Sequence, residues 1–153
     1  MGIRLGLGGL QALTLNAGAI ESGTYFGLSS QFSFLSTGRI FILRTGIVRD
    51  VASFSVPVPP STVGLTVLRG NIATIEMLAG QGGREFVLTF WHEIIHIGIE
   101  RGSSSLATTL KALGSGSVAQ ERQIDILAIK IFNAVGAPTR KNVRKILIDF
   151  FGA

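Results

Sequence analysis

The two histidines of this 153-residue chain stand four positions apart, in the segment His92-Glu93-Ile94-Ile95-His96. In an α-helix, residues four apart lie one turn apart on the same face. Two imidazoles placed in this way can both direct a ring nitrogen at one metal ion, at about 2 Å. The segment therefore predicts a helix that carries a metal site, with His92 and His96 as ligands.

The residues around this segment predict a helix independently. Helical spacing of the apolar residues runs from Arg84 to Arg101 and stops at Gly102. The expected apolar stripe, which should face a sheet, consists of Phe86, Phe90, Ile94 and Ile97. Glu93 is rotated about 100° from His92 around such a helix. Its carboxylate is therefore expected beside the metal, where it could act as a general base towards water.

A catalytic zinc centre uses three protein ligands and keeps one position open. The chain has no third histidine and no cysteine, so the third ligand must be a carboxylate. We expect Glu121 to complete the set, and Asp125, four residues later, to hydrogen-bond the far nitrogen of a liganding histidine. Asp125 as the ligand in place of Glu121 is one alternative. An exposed carboxylate pair without a metal role is the other.

Residues 1–79 are predicted to be rich in strands, because short runs of alternating, β-branched or aromatic residues end at Gly, Ser, Thr or Pro. The expected strands are Met1–Leu15, Gln31–Leu35, Arg39–Leu43, Ser53–Val58, Thr62–Leu68 and Asn71–Leu78. Two hairpins are expected, around Ser36-Thr37-Gly38 and around Arg69-Gly70. Pro57 makes its strand an edge strand, since proline donates no hydrogen bond to a ladder.

After the helix that carries the histidines, three further helices are predicted. The first covers Leu106 to Leu113, the second opens at Ser117 and ends at Asn133 or Ala134, and the third begins after Thr139 and ends near Phe151. The fold class is therefore α+β. We expect one zincin-like domain over residues 1–153. In it, a mostly antiparallel sheet (1–79) precedes the active-site helix (83–101) and a helical part (103–153).

Composition narrows the range of partners. Hydrophobic residues make up 46% of the chain and charged residues 15%, which excludes a disordered chain, and no stretch predicts a transmembrane helix. We expect a cytoplasmic location, because no convincing signal peptide is present. The net charge of +5 permits an anionic partner without requiring one. A basic patch is formed by Arg140, Lys141, Arg144 and Lys145. It is more readily explained as a solvated helix face than as a nucleic-acid surface.

The segments His92 to His96 and Glu121 to Asp125 together resemble the gluzincin class of zinc metallopeptidases, to which thermolysin belongs. The residues Arg84–Trp91 and Glu121–Ala128 resemble the small ImmA/IrrE-like family, and compact single-domain gluzincins are an equally good match. The resemblance covers about Arg84 to Ala134. It implies a strand-rich part before the active-site helix, a glutamate ligand on a following helix, and regulatory proteins as substrates.

The resemblance implies a peptidase with one zinc ion per chain and Glu93 as its base. Zinc is itself an expectation, since nitrogen and oxygen ligands also bind other divalent metals. A peptide substrate is expected to add as a strand beside the helix, at Asn71–Leu78. Candidates for stabilising the oxyanion are Tyr25, Arg84 and Arg122. The alternative is a structural or interaction protein of a larger assembly or oligomer, whose metal site is not catalytic.

Overall fold

Four strands form a mixed sheet in the first half of the chain. The computed structural model describes residues 31–36 and 39–153, so the predictions for Met1–Leu15 and for the turn at Thr37-Gly38 lie outside the described residues. The strands are β1 (Gln31–Ser36), β2 (Arg39–Val48), β3 (Gly64–Arg69) and β4 (Ile72–Leu78). Their order across the sheet is β1-β2-β4-β3.

Both predicted hairpins are present, and they meet in a way that the strand pattern did not predict. β1 pairs with β2 and β3 pairs with β4, each antiparallel. The central pair, β2 with β4, is parallel. Parallel neighbours require a crossover, which residues 49–71 supply, since they include β3 at the outer side of β4. The sheet is therefore mixed, with two of its three pairings antiparallel.

The strand predicted at Ser53–Val58 is wrong. The chain there forms a short 3-10 turn at Val51–Ser53 and then an irregular segment. Only Phe54 is buried, and the amide and hydroxyl of Ser55 both donate to Glu76 Oε1 of β4, at 2.9 and 2.8 Å. Prolines 57, 59 and 60 have no N–H to donate, so a single buried residue and a side-chain contact hold this segment instead of a ladder.

The predicted helices are all present, with ends that differ by a few residues. They are α1 (Gly83–Arg101), α2 (Ser105–Lys111), α3 (Val118–Val135) and α4 (Arg140–Lys145), which continues as a π-helical turn at Ile146–Phe150. Ser117 and Thr139 accept hydrogen bonds from the amides of Gln120 and Asn142, as N-caps do. None of these helices has the length and apolar content needed to cross a bilayer within the part of the chain described.

Helix α1 is buried on almost every side. Its predicted apolar stripe is buried, but so is every residue from Phe86 to Ile95. β3 and β4 pack on the helix from one direction, while α2, α3 and the π-helical turn pack on it from others. The helix therefore carries Thr89, His92 and Glu93 into the interior, where each polar side chain needs a partner.

The C-terminal residues close the far end of α1. The ring of Phe151, fully buried, lies directly against Gly98, and a Cβ added at Gly98 would overlap that ring. The carbonyl of Phe151 accepts a hydrogen bond from Ser104 N at 3.0 Å. The C-terminal residues therefore pack on the last turns of α1 and bond to the residues that follow it.

Candidate metal centre

The two histidines face helix α3. His92 and His96 lie one turn apart on α1, with ring centroids 5.0 Å apart and ring planes tilted by 57°. Glu121 lies in the first turn of α3, which packs against α1. The helical period of α1 places the two histidines together, and the packing of α3 brings Glu121, 25 residues after His96, to the same place.

The carboxylate of Glu121 contacts both histidines. Its Oε2 lies 2.7 Å from His92 Nε2, and its Oε1 lies 3.3 Å from His96 Nε2. His92 is 1% exposed and Glu121 is 6% exposed, whereas the side chain of His96 keeps 15% of its surface accessible. The group is therefore buried, with His96 its most accessible member.

Asp125 contacts the same histidine from the other side. Its Oδ1 lies 2.7 Å from His92 Nδ1, one helical turn after Glu121. This is the contact expected of a carboxylate that fixes the tautomer of a liganding histidine and leaves Nε2 to the metal. Asp125 and Glu121 are each only 6% exposed, so the alternative of an exposed carboxylate pair is wrong.

The charges of this group depend on one another. Burial by itself would lower the pKa of His92, but hydrogen bonds to Asp125 and Glu121 outweigh it and raise the pKa from 6.5 to about 10. Burial would likewise raise the pKa of Glu121, and its hydrogen bonds to His92 and His96 instead lower it from 4.5 to about 2. The carboxylates thus surround a place that favours positive charge.

The donor set fits a divalent metal ion. One ligand atom each from His92, His96 and Glu121 lie within 4.8 Å of one another. Two ligands at about 2 Å from a tetrahedral zinc would be about 3.3 Å apart. Glu121 Oε1 lies 3.3 Å from His96 Nε2, while Glu121 Oε2 lies closer, 2.7 Å, to His92 Nε2. Two imidazoles and a carboxylate also form the set of three protein ligands that catalytic zinc uses. This buried His-His-Glu group could therefore hold a metal ion.

Glu93 is fully buried and turns towards the sheet. Thr66 Oγ1 of β3 donates to its Oε1 at 2.7 Å. Its other oxygen, Oε2, has no hydrogen-bond partner among the described residues. A Cβ added at Gly64 would come within 2.9 Å of this second oxygen. The roles of Thr66 and Gly64 were not predictable, because nothing in a strand pattern shows which helix residue a strand residue will contact.

The strand predicted to receive a substrate is in the wrong place. Asn71–Leu78 contains β4, which is paired with β2 on one side and with β3 on the other, so it has no free edge. β3 pairs only with β4 in the part of the chain that the structure describes. It also lies beside α1, through Thr66 and Glu93. The edge beside the candidate site is therefore β3.

The three oxyanion candidates differ in position. Arg84 lies with its guanidinium 4.7 Å from the ring centroid of Phe132, which is eleven residues after Glu121 on α3, or about 16 Å along the helix. The structure therefore does not bring Arg84 to the group. Arg122 follows Glu121 but is exposed. Tyr25 lies outside the described residues.

The four cationic residues of the predicted basic patch are Arg140, Lys141, Arg144 and Lys145. All four are exposed on α4, while Val143 on the same helix is buried in the core. This is the arrangement of an amphipathic helix with a solvated charged face.

Comparisons with models of protein families, with curated proteins and with solved structures returned no match. The geometry of the His-His-Glu group and its surroundings is therefore what indicates a function.

Proposed function

We propose that this chain is a zinc-dependent metallopeptidase that hydrolyses peptide bonds in a protein substrate. The observation that carries the proposal is the convergence of His92, His96 and Glu121 within 4.8 Å, with a buried carboxylate, Glu93, next to His92 in the chain. The three residues would hold the metal, and Asp125 would orient His92. A bound zinc would supply Lewis acidity, which polarises a carbonyl and lets water ionise near neutral pH.

In this mechanism Glu93 moves the proton. Its Oε2, which has no hydrogen-bond partner among the described residues, would accept a proton from the attacking water. The water oxygen forms a bond to the scissile carbonyl carbon, and the same carboxylate then delivers the proton to the leaving amine. Burial of Glu93 keeps bulk water from competing for this proton.

The substrate would bind along β3. Its ladder has a partner on one side only in the described part of the chain, so its other backbone amides and carbonyls can pair with an extended peptide. The strand contacts Glu93 through Thr66, which places that edge beside the proton-transferring carboxylate. An extended segment of a protein is therefore the proposed substrate.

The metal is tested first, by mass spectrometry on protein purified without added metal. About one zinc per chain in the wild type, lost in His96→Ala, is the expected result. The absence of metal from the wild type, before and after zinc addition, would overturn the proposal.

Catalysis is tested next, by cleavage of fluorescein-labelled casein. Glu93→Gln should keep its zinc and lose activity by about 100-fold or more, the scale of general base catalysis. Glu100→Gln is the matched control, because Glu100 is an exposed glutamate of the same helix. Equal activity of Glu93→Gln and wild type would contradict the role of Glu93.

A second candidate is a structural protein with a non-catalytic metal site. It is favoured by the ion pairs of His92, which hold the group together through Asp125 and Glu121. In that case zinc should raise the unfolding temperature, while wild type and Glu93→Gln would both leave casein uncut.

A further inference from the structure

The hydroxyl of Thr66, on strand β3, faces two oxygen atoms of Glu93, one in the side chain and one in the backbone. The hydroxyl of Thr66 lies 2.7 Å from Glu93 Oε1 and 3.3 Å from the backbone carbonyl oxygen of Glu93. Because a hydroxyl carries one proton, the shorter contact with Oε1 is its main hydrogen bond, and the backbone carbonyl is the more distant acceptor. Both contacts cross from β3 to α1, over a sequence separation of 27 residues.

The other carboxylate oxygen depends on the absence of a side chain. Gly64 lies two residues before Thr66, on the same face of β3. A Cβ at Gly64 would stand 2.9 Å from Glu93 Oε2 and 2.9 Å from Thr89 Cγ2. Real Cβ atoms do not approach so closely, so a larger residue would displace the carboxylate or Thr89.

The two carboxylate oxygens therefore have different surroundings. Oε1 accepts the hydrogen bond from Thr66, whereas Oε2 has no hydrogen-bond partner among the described residues. A buried acceptor without a partner is energetically unfavourable, which favours any geometry that gives it a donor. Water is such a donor.

We propose that Thr66 is a positioning residue for Glu93 and that Gly64 keeps the space in which its carboxylate stands. Thr66 anchors Oε1, so that Oε2 is the oxygen that receives the proton. This inference rests on the proposed peptidase function. In the reaction the O–H bond of the attacking water breaks, its proton goes to Oε2, and its oxygen bonds to the carbonyl carbon. The proton then passes to the amine as the C–N bond breaks.

Two variants distinguish the effect of the Thr66 hydroxyl from the effect of the side chain's shape. Thr66→Val keeps the size and β-branching but cannot donate, and Thr66→Ser keeps the donor. Thr74→Val is the matched control, because Thr74 lies on the adjacent strand and is paired with Val67, which packs on the opposite face of the sheet. Zinc content and unfolding temperature of each variant establish that the fold and the metal site are retained.

The first readout is hydrolysis of labelled casein by the zinc-loaded proteins. We expect Thr66→Val to lower kcat on the order of 10- to 100-fold, the loss that misplacement of a catalytic group by about 1 Å produces. KM should not change, because the backbone edge of β3 is intact. Thr66→Ser should recover most of the loss. An unchanged kcat in Thr66→Val, or no recovery in Thr66→Ser, would overturn the proposal.

The second readout does not require turnover. Acetohydroxamic acid binds zinc and carries a hydroxyl proton that a correctly placed carboxylate accepts. Its affinity, measured by calorimetry, should fall several-fold in Thr66→Val and Gly64→Ala, and stay near the wild-type value in Thr66→Ser and Thr74→Val. Equal affinity in all variants would exclude a positioning role. Failure of the wild type to cleave casein would count against the peptidase alone, while these affinities would still decide the role of Thr66.

Discussion

Asp125 Oδ1 and His92 Nδ1 lie 2.7 Å apart, between helices α3 and α1. The hydrogen bond engages Nδ1 of His92, and the other ring nitrogen, Nε2, lies 2.7 Å from Glu121 Oε2. Two carboxylates one turn apart on α3 thus hold the two nitrogens of one imidazole. The arrangement would orient His92 as a ligand before a metal ion binds, and without a metal it favours the charged form of the ring.

Removing Asp125 should weaken metal binding without removing a ligand. Asp125→Ala is expected to lower zinc affinity by about 10- to 100-fold, because His92 loses the contact that fixes its ring and tautomer. Competition with a chromophoric chelator measures this. Asp149→Ala is the control, since Asp149 is an exposed aspartate near the C-terminus and should bind zinc as the wild type does. Equal affinities for the two variants would contradict an orienting role for Asp125.

The stability of the metal-free protein should depend on pH through Glu121 at acid pH. The pKa of Glu121 falls from 4.5 to about 2, so its carboxylate contributes stability above about pH 4.5 and loses it as the pH falls towards 2. Urea unfolding in the presence of a chelator, followed by the fluorescence of the buried Trp91, measures this. In Glu121→Gln, the free energy of unfolding should fall less steeply with decreasing pH below about 4.5. The same acid slope in both proteins would rule out this assignment.

His92 should govern how the stability of the metal-free protein changes at alkaline pH. Its pKa rises from 6.5 to about 10, so its protonated ring stabilises the fold fully below about pH 6.5 and progressively less as the pH rises to 10. Unfolding free energy should therefore decline between these values in the metal-free wild type. In His92→Gln the decline should be smaller. A wild-type curve that is level between pH 6.5 and 10 would show that the ring is neutral throughout.

Zinc should stabilise the folded protein by mass action. At a free concentration of 100 times Kd, a ligand that binds only the native state adds about 2.7 kcal/mol to the free energy of unfolding. Thermal unfolding with and without zinc measures the effect, and His96→Ala should show little of it. A similar rise in both proteins would mean that zinc binds elsewhere.

Gly98 should not tolerate a side chain. Gly98→Ala places a methyl group in the ring of Phe151, and overpacking of this kind costs roughly 1–3 kcal/mol. Gly46→Ala is the matched control, because no heavy atom lies within 4 Å of a Cβ there and its φ is not in the left-handed region. Urea unfolding gives the free energy of unfolding of Gly98→Ala, Gly46→Ala and the wild type. Equal stability would show that the C-terminal segment moves aside at little cost.

The local elements were predictable because their causes are local. Helix α1 contains both histidines at the predicted spacing. Helix α3 begins directly after its predicted cap, Ser117, and ends directly before Gly136. Each of these signals acts within a few residues. The strand prediction for Ser53–Val58 was wrong because its cause is not local. Its alternation resembles a strand, but strand formation needs a neighbouring strand to supply hydrogen bonds, and a local pattern cannot show whether one is there.

By itself, the sequence determined that two imidazoles share a helix face and that two carboxylates follow one turn apart. Only the tertiary structure decided that α3 brings Glu121 within 3.3 Å of both histidines, that β3 and not β4 lies at the edge beside α1, and that Thr66 meets Glu93. The physical reason is the distance along the chain over which each interaction acts. Helix period and capping depend on neighbours in sequence, whereas these contacts depend on how buried apolar surfaces pack across 25 residues or more.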